Sequence, residues 1–413
     1  MQEDNISVNN FESCLKCNIC TTVCPMMAVN PHYPGPKQAG PDGERYRLKD
    51  PAYYDMTLKY CLNCKRCEVA CPSEVKVGDI IQQARLKYGH MTAPLRDAAL
   101  ASTDLVGNVA SRMSPLVNAA LAMKPVKKAM DVFGVDSRRT FPKYSPVRFS
   151  GSFARNHPGQ DGFDRHVSYF HGCYVNYNYP ALGSAFVTLM NACGYGVRLL
   201  DKEKCCGVAL ISNGMGRQAS RQASINVGAI RKALASGSEA VLTTSSTCTF
   251  TIRDEYGHIL GLDTGDIRAG LMLAVKFIYD RVESGQIRLA FRDGWKAHYT
   301  YHTACHMQKL GWQIYSIQLL RMIPGLVLDV LPQECCGIAG TFGFKKENYG
   351  YSQEIGSRLF DAIRSSSASA VVTDCETCKW QIEMSTGFSV YNPVEVLVSA
   401  LDIEQTRKLN HVD

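Results

Sequence analysis

The sequence predicts an α+β protein of several domains, a largely α-helical N-terminal domain followed by two copies of an α/β unit. Three observations carry this. Residues 14–25, CLKCNICTTVCP, and residues 61–72, CLNCKRCEVACP, are two copies of one run, C-x2-C-x2-C-x3-C-P. VRLLDKEKCCG at 197–207 realigns with VLDVLPQECCG at 327–337, and EAVLTTSSTC at 239–248 realigns with SAVVTDCETC at 369–378 at the same offset. Continuous apolar stretches such as AVLTT and AVVTD alternate with helical spacing in that half, the pattern of parallel α/β units. The expected divisions are 1–91, 92–165, 166–290 and 291–413.

The two N-terminal runs have the spacing with which ferredoxins hold [4Fe–4S] clusters. Each iron of a cubane needs one external ligand, so four thiolates close one cluster. In this arrangement the fourth Cys of each run serves the other cluster. Cys14, Cys17, Cys20 and Cys71 are then expected to hold one cluster, and Cys61, Cys64, Cys67 and Cys24 the second. A pair of zinc sites is the competing reading, but zinc ligands more usually come as C-x2-C pairs separated by a longer loop. DPAYYDMTLKYCLNC and VKVGDIIQQARLKYGH read as helical, the latter with Val77, Ile80, Ile81 and Ala84 on one face. A helical ferredoxin domain is expected rather than a β-rich one. Lys16, Lys65 and Arg66 lie between ligand positions and are expected on the solvated surface.

Residues 92–165 carry no Cys. Their Ala-, Leu- and Met-rich first part reads as helices broken at Pro115 and Pro125. A basic, turn-rich tract follows: Lys124, Lys127, Lys128, Arg138, Arg139, Lys143 and Arg148 stand against Asp131 and Asp136. Such a segment suits either a membrane interface or a helical arm packed on this protein or a partner. SFARNHPGQDGFDRH, at 152–166, reads as a linker.

In the second α/β unit Cys305, Cys335, Cys336, Cys375 and Cys378 stand at strand ends, where open α/β sheets place their ligands. Adjacent Cys are poorly placed for one ion but can serve different irons of a cluster; a vicinal disulfide is the other reading of each CCG. The first unit has Cys173, Cys205, Cys206 and Cys248, a set for a possible further cluster. Ser245 stands where the fifth Cys is required. Cys193 has no repeat partner and reads as a buried apolar thiol. His171, His302 and His306 flank these Cys and are candidates for a proton or quinone site.

The chain has 413 residues, 18 Cys and a net charge of +7. MQEDNISVNN has neither the basic nor the apolar part of a secretory signal, so the thiols are expected in a reducing compartment, as metal ligands. No apolar run approaches the ~18 residues of a membrane span. No long Lys/Arg block points to nucleic acid. No G-x-G-x-x-G follows a predicted strand and no P-loop occurs, so this chain is not expected to bind flavin or nicotinamide, or to take a hydride.

These residues resemble a known family, the C subunits of anaerobic glycerol-3-phosphate dehydrogenases. The resemblance runs nearly end to end. It is carried by NPHYPGPKQAGPDGERYRLKD, CLNCKRCEVACPSEVKVGDII, EKCCGVALISNG, SSTCTFTIRDEY, CCGIAGTFGFKKENYG and VTDCETCKWQIEMSTG. The wider CCG group takes in the B subunits of heterodisulfide reductases, whose five-Cys sets hold non-cubane [4Fe–4S] clusters. The second unit matches that pattern Cys for Cys, and the first departs from it at Ser245. The resemblance implies an electron-transfer protein without a dehydrogenase site of its own. Flavin-bearing A and B subunits would oxidise sn-glycerol 3-phosphate to dihydroxyacetone phosphate. This chain would pass the electrons to menaquinone and attach its partners, peripherally, to the cytoplasmic side of the inner membrane. The alternatives are a stand-alone CCG disulfide or quinone reductase fed by its ferredoxin domain, and a zinc-bearing interaction protein.

Overall fold

The computed structural model describes residues 10–50, 53, 55–88 and 93–411. Among the described residues of 10–88 there is no strand. Each Cys run curls into a loop and then a one-turn helix, Ile19–Thr22 in the first and Arg66–Val69 in the second. The curl needs left-handed backbone at matching positions. Lys16 and Asn18 have φ of 57° and 66°, and Asn63 and Lys65 have 55° and 61°. Non-glycine residues held there cost roughly 1–3 kcal/mol each, a strain that persists only where the surroundings impose it. Helix Val77–Tyr88 buries Val77, Ile80, Ile81 and Ala84, the face read from its spacing. The stretch expected to be helical before the second run falls partly on residues 51, 52 and 54, outside the described residues. Its described part is a short 3-10 turn, Met56–Tyr60, capped by Asp55.

The arm is four helices, Pro94–Ala101, Thr103–Arg112, Ser114–Ala122 and Lys124–Val132. Pro94, Pro115 and Pro125 sit in first turns, where the missing N–H has no partner to lose. The prolines therefore open helices, and the breaks fall at Met113 and Met123. One side of the arm packs on the first α/β unit. A Cβ at Gly107 would lie 2.4 Å from the Tyr177 ring. The other side leaves Leu95, Leu105, Leu116, Val132 and Phe133 exposed.

The linker expectation is corrected. Helix Phe149–Asn156 buries Phe149 edge-to-face on Tyr169. Further on, the Gln160 side chain donates to Asn191 and accepts the Val197 N–H. The basic tract is also not wholly on the surface. Arg139 is 1% exposed and donates to Gly343 O, Gln381 and Ser352 of the second unit.

The two units fold alike. In the first, β1 (Arg165–Tyr169), β2 (Tyr195–Leu199), β3 (Val241–Thr243) and β4 (Leu271–Leu273) form a parallel sheet in the order β2-β1-β3-β4. In the second, β5 (Ala297–Tyr301), β6 (Leu326–Val330), β7 (Ala370–Val372) and β8 (Val390–Tyr391) repeat it as β6-β5-β7-β8. Val167 and Tyr169 of β1, Val241 and Leu242 of β3, and Val371 and Val372 of β7 are fully buried, as strands covered on both faces require. Helix Pro180–Ala192 of the first unit packs on Pro393–Ala400 of the second, and a single apolar core runs through both. This sets the carboxyl ends of the two sheets towards one another: the Ser246 N–H donates to Asp374 O across the junction at 2.8 Å.

Candidate metal centres

The thiols gather in four groups. In the first, burial pushes the Cys20 thiol up, and the neighbouring Cys14, Cys17 and Cys71 push it further. In the second, the Cys67 thiol is raised by burial, then by Glu68 and by Cys64, Cys61 and Cys24. Cys24 is pushed to about 11 by burial, with Cys61 its foremost thiol neighbour. Cys71 thus stands with the thiols of the first run and Cys24 with those of the second. Cys24, Cys61, Cys64 and Cys67 line one small cavity floored by Tyr33 and Ile81. Cys17 is exposed.

The third group follows β5, β6 and β7. Cys305, Cys335, Cys336, Cys375 and Cys378 line a single 80 Å³ cavity. The sulfurs of Cys305 and Cys335 are 3.9 Å apart and those of Cys336 and Cys378 3.3 Å, well beyond the ~2.05 Å of a disulfide. All eighteen cysteines are free. Hydrogen bonds from Cys378, Thr247 and Thr377 hold Cys375 down at about 6, and bonds from Cys335 and Cys378 hold Cys336 at about 6. Those two thiols are drawn towards the thiolate, the form that ligates metal, while the neighbouring thiols and burial push Cys305, Cys335 and Cys378 up. Gly337 is indispensable to its shape. At φ 81° its N–H donates to Cys335 Sγ, and a Cβ there would stand 2.0 Å from Ser352 O.

The fourth group follows β1, β2 and β3. Cys173, Cys205, Cys206 and Cys248 line a 220 Å³ cavity together with Ser245. The Ser245 hydroxyl caps helix Ser246–Phe250 by accepting the Cys248 N–H, and it donates to Glu376 Oε2 of the second unit at 2.7 Å. Asp104 of the arm accepts the Cys205 N–H at 2.8 Å. Cys193 lies apart in the apolar core, its thiol pushed to about 12 by burial.

The histidines do not converge. His171 lines the first unit's cavity, but its Nδ1 faces Gly172 O at 3.0 Å and the Glu203 carboxylate at 3.1 Å, and burial holds the ring neutral with a pKa of about 4. Glu203 accepts the N–H groups of His171 and Gly172, so the pair shapes the loop that carries Cys173. His306 bonds Asn63 O through Nε2 and stacks on Phe250, joining the second unit to the second Cys run. His302 is fully buried and pushed down to about 3, by burial and then by Arg66. Neither of its ring nitrogens has a protein partner. Of these side chains, the five convergent thiols are the kind of donor that holds an iron–sulfur cluster.

The expectation of a solvated Lys65 is overturned. Its side chain is 0% exposed, and its Nζ lies 2.5 Å from Asp79, 3.5 Å from Glu255 and 3.7 Å from Glu68. Three carboxylates from two domains converge there and outweigh the cost of burying the ammonium. Arg66 is half-buried, donating to Gln333 O, and Cys305, Cys335 and Cys64 raise its pKa against burial. Lys16 is exposed, as expected.

Residues 10–75 match the family model of the 4Fe-4S dicluster domain, and residues 167–253 and 299–383 each match the cysteine-rich CCG domain. The C subunit of anaerobic glycerol-3-phosphate dehydrogenase from Escherichia coli (strain K12) is 52% identical over 393 residues, covering 95% of this chain and 99% of that protein. The chain belongs to the family of anaerobic glycerol-3-phosphate dehydrogenase C subunits. More distant relatives match along most of the chain. The glycolate oxidase iron-sulfur subunit of Escherichia coli (strain K12) is 24% identical over 95% of each chain. The B subunit of the fumarate reductase (CoM/CoB) of Methanothermobacter marburgensis is 24% identical over 93% of this chain and 70% of its own. As a member of this family, the chain is an iron–sulfur electron-transfer subunit, which implies partner subunits.

Several residues at these centres carry no signal in the sequence. Thr247 reaches Cys375 from the opposite unit at 3.5 Å, and Thr247 and Thr377 line both the 80 Å³ and the 220 Å³ cavities. Only the repeat alignment hints at them, since residues 247 and 377 occupy the same position before Cys248 and Cys378.

Proposed function

We propose that this chain is the electron conduit of an anaerobic glycerol-3-phosphate dehydrogenase, carrying electrons from flavin-bearing A and B subunits to menaquinone. The observation that carries the reading is the unbroken succession of thiol groups. The first group ends at the exposed Cys17, bordered by the exposed Leu15 and Ile19, a surface suited to an electron-donating partner. The second group touches the third: Cys64 lines the 80 Å³ cavity, and its thiol feels Cys305 first among its neighbouring thiols. The third group is separated from the fourth by the threonines they share. Cys14, Cys17, Cys20 and Cys71 would hold one [4Fe–4S] cluster and Cys61, Cys64, Cys67 and Cys24 the next. Cys305, Cys335, Cys336, Cys375 and Cys378 would hold a non-cubane cluster. Such clusters, when bound, supply one-electron transfer at potentials set by charge and hydrogen bonding around the sulfurs.

No helix among the described residues is long and apolar enough to cross a membrane. Attachment falls to the arm, where exposed Leu105, Val109, Met113, Leu116 and Met123 precede Lys124, Lys127 and Lys128. An apolar face beside cations suits the interface of an anionic leaflet, the cytoplasmic side in this reading.

The test is electron paramagnetic resonance of the complex purified anaerobically with its native partners. In a Cys375→Ser variant one distinct signal should disappear, glycerol 3-phosphate should still reduce the two ferredoxin-type clusters, and quinone reduction should stop. If every signal persists, the assignment of the second unit is wrong. If the isolated chain reduces a thiol disulfide from dithionite, the stand-alone reductase replaces this reading.

A further inference from the structure

The cavity of the first unit is larger than a thiol site needs. It measures 220 Å³ against 80 Å³ for the five-thiol cavity, and most of its extra wall is not ligand-bearing. Leu100 and Val106 come from the arm, Phe141 from the basic tract, Tyr174 and Tyr177 from the first unit, and Trp380 from the second. Tyr174 and Trp380 meet edge to face with ring centroids 5.2 Å apart. The wall is thus rich in aromatic rings. Its polar atoms include the Ser245 hydroxyl and the Glu376 carboxyl, already bonded to each other across the unit junction. Ala99 and Val106 line the cavity and are also exposed, so its mouth opens through the arm, on the helices that leave Leu95, Leu105 and Val109 uncovered. The cavity is smaller than the roughly 300–1,000 Å³ clefts that enclose drug-sized ligands whole. It suits a two-ring headgroup whose apolar tail stays outside.

We propose that this cavity binds the headgroup of a naphthoquinone, with its prenyl tail running out between the arm helices into the bilayer. The inference rests on the electron route proposed above and gives that route its end point. The thiols of the third group stand one side-chain layer away, across Thr247 and Thr377, so a bound ring has its electron donor in the adjoining wall. The clusters these thiols would hold would deliver two electrons singly, supplied as a pair by oxidation of the alcohol substrate at the flavin partner. Two protons arrive from water at the mouth. Both ring C=O groups become C–OH, no bond to the protein forms or breaks, and the quinol leaves by the arm.

The experiment uses the complete complex, purified anaerobically and placed in vesicles, with an azido-naphthoquinone as photoprobe. Label should fall on peptides spanning residues 94–107, 141–144, 174–177 or 376–380, and excess menadione should suppress it. In Ala99→Trp, and independently in Val106→Phe, the KM for menadione should rise about tenfold or more, the scale of a steric change in a tight apolar pocket. Glycerol 3-phosphate should still reduce the clusters. Label confined to other peptides, or an unchanged KM in both variants, overturns the cavity assignment while leaving the electron route standing. A wild-type complex whose clusters are reduced by substrate but which never reduces menadione overturns the electron route itself.

Discussion

Replacing Lys65 by Met tests whether the junction between the ferredoxin domain and the first unit is held by charge. Lys65 is fully buried with Asp79 at 2.5 Å, Glu255 at 3.5 Å and Glu68 at 3.7 Å. Burial alone would lower the ammonium's pKa, but Asp79, Glu68 and Glu255 hold it well above its ordinary value. Burial would raise Asp79, yet Lys65 and His258 hold it well below the usual carboxylate range. The other partners cover only part of the negative charge. Lys309 pairs with Glu68 at 2.9 Å, and Glu255 accepts from Asn63 and Thr251. Removing one member of a buried charge network typically costs about 3–5 kcal/mol, because the partners stay buried and uncompensated. Equilibrium urea denaturation of the anaerobically purified chain, read as a midpoint shift at constant slope, should show that loss. A depressed carboxylate contributes stability above its unfolded pKa and loses it as pH falls through the folded value. The gap between wild type and Lys65→Met should therefore narrow as pH falls below the ordinary Asp value of 3.8. Adding Asp79→Asn removes the closest orphaned charge, so the double variant should recover more than about 1 kcal/mol of the summed single losses. A Lys65→Met cost under about 1 kcal/mol, or strict additivity, would refute the argument.

Gly337→Ala should abolish the second unit's cluster signal, since its Cβ must displace the Ser352 carbonyl; Gly207→Ala meets nothing closer than 3.9 Å and should cost only the left-handed backbone penalty of about 1–2 kcal/mol. Metal analysis and paramagnetic resonance of the two proteins side by side check this. Reversing Lys124, Lys127 and Lys128 to Glu should weaken binding to anionic vesicles on the order of 10²-fold at low salt, measured by co-sedimentation, with little effect on neutral vesicles. Ser245→Ala should lower stability in the urea assay by about 1–3 kcal/mol, from the lost cap and the unpartnered Glu376 carboxyl; a change under about 0.3 kcal/mol would remove any structural need for this serine.

What can be read from the sequence and what cannot divide by range. Metal-ligand spacing is local, so both runs, the repeat and all seventeen grouped cysteines are legible from the chain. The expected exchange of Cys24 and Cys71 comes from the ferredoxin pattern, in which the fourth Cys of each run serves the other cluster. Lys65 misleads because a cation reads as solvated unless its partners are known, and one of its partners, Glu255, lies far along the chain; the burial of Arg139 rests likewise on the distant Ser352 and Gln381. Helix Phe149–Asn156 is hidden because one buried Phe anchors an otherwise polar stretch. The arm's breaks are displaced by a residue or two, because proline is as welcome in a helix's first turn as it is excluded from its interior.

Ser245 bears most directly on how the cavities of the two units differ. In the second unit Cys375 occupies the equivalent N-cap position with no side-chain cap bond, leaving its sulfur to face the cavity. In the first unit the hydroxyl is spent twice, on the Cys248 N–H and on Glu376. An oxygen already accepting one bond and donating another makes a poor substitute for a thiolate, so the change does more than delete a ligand: it ties the first unit's loop to the second unit's helix. The same loop carries Thr247 to Cys375. The first unit thereby trades its fifth thiol for a fixed wall between two cavities. Its glycine tells the same story, since Gly207 has room beyond its Cβ where Gly337 has none. A tight five-thiol cavity on one side and a roomy, aromatic, arm-bordered cavity on the other are what one unit holding charge and its copy receiving a ligand would require.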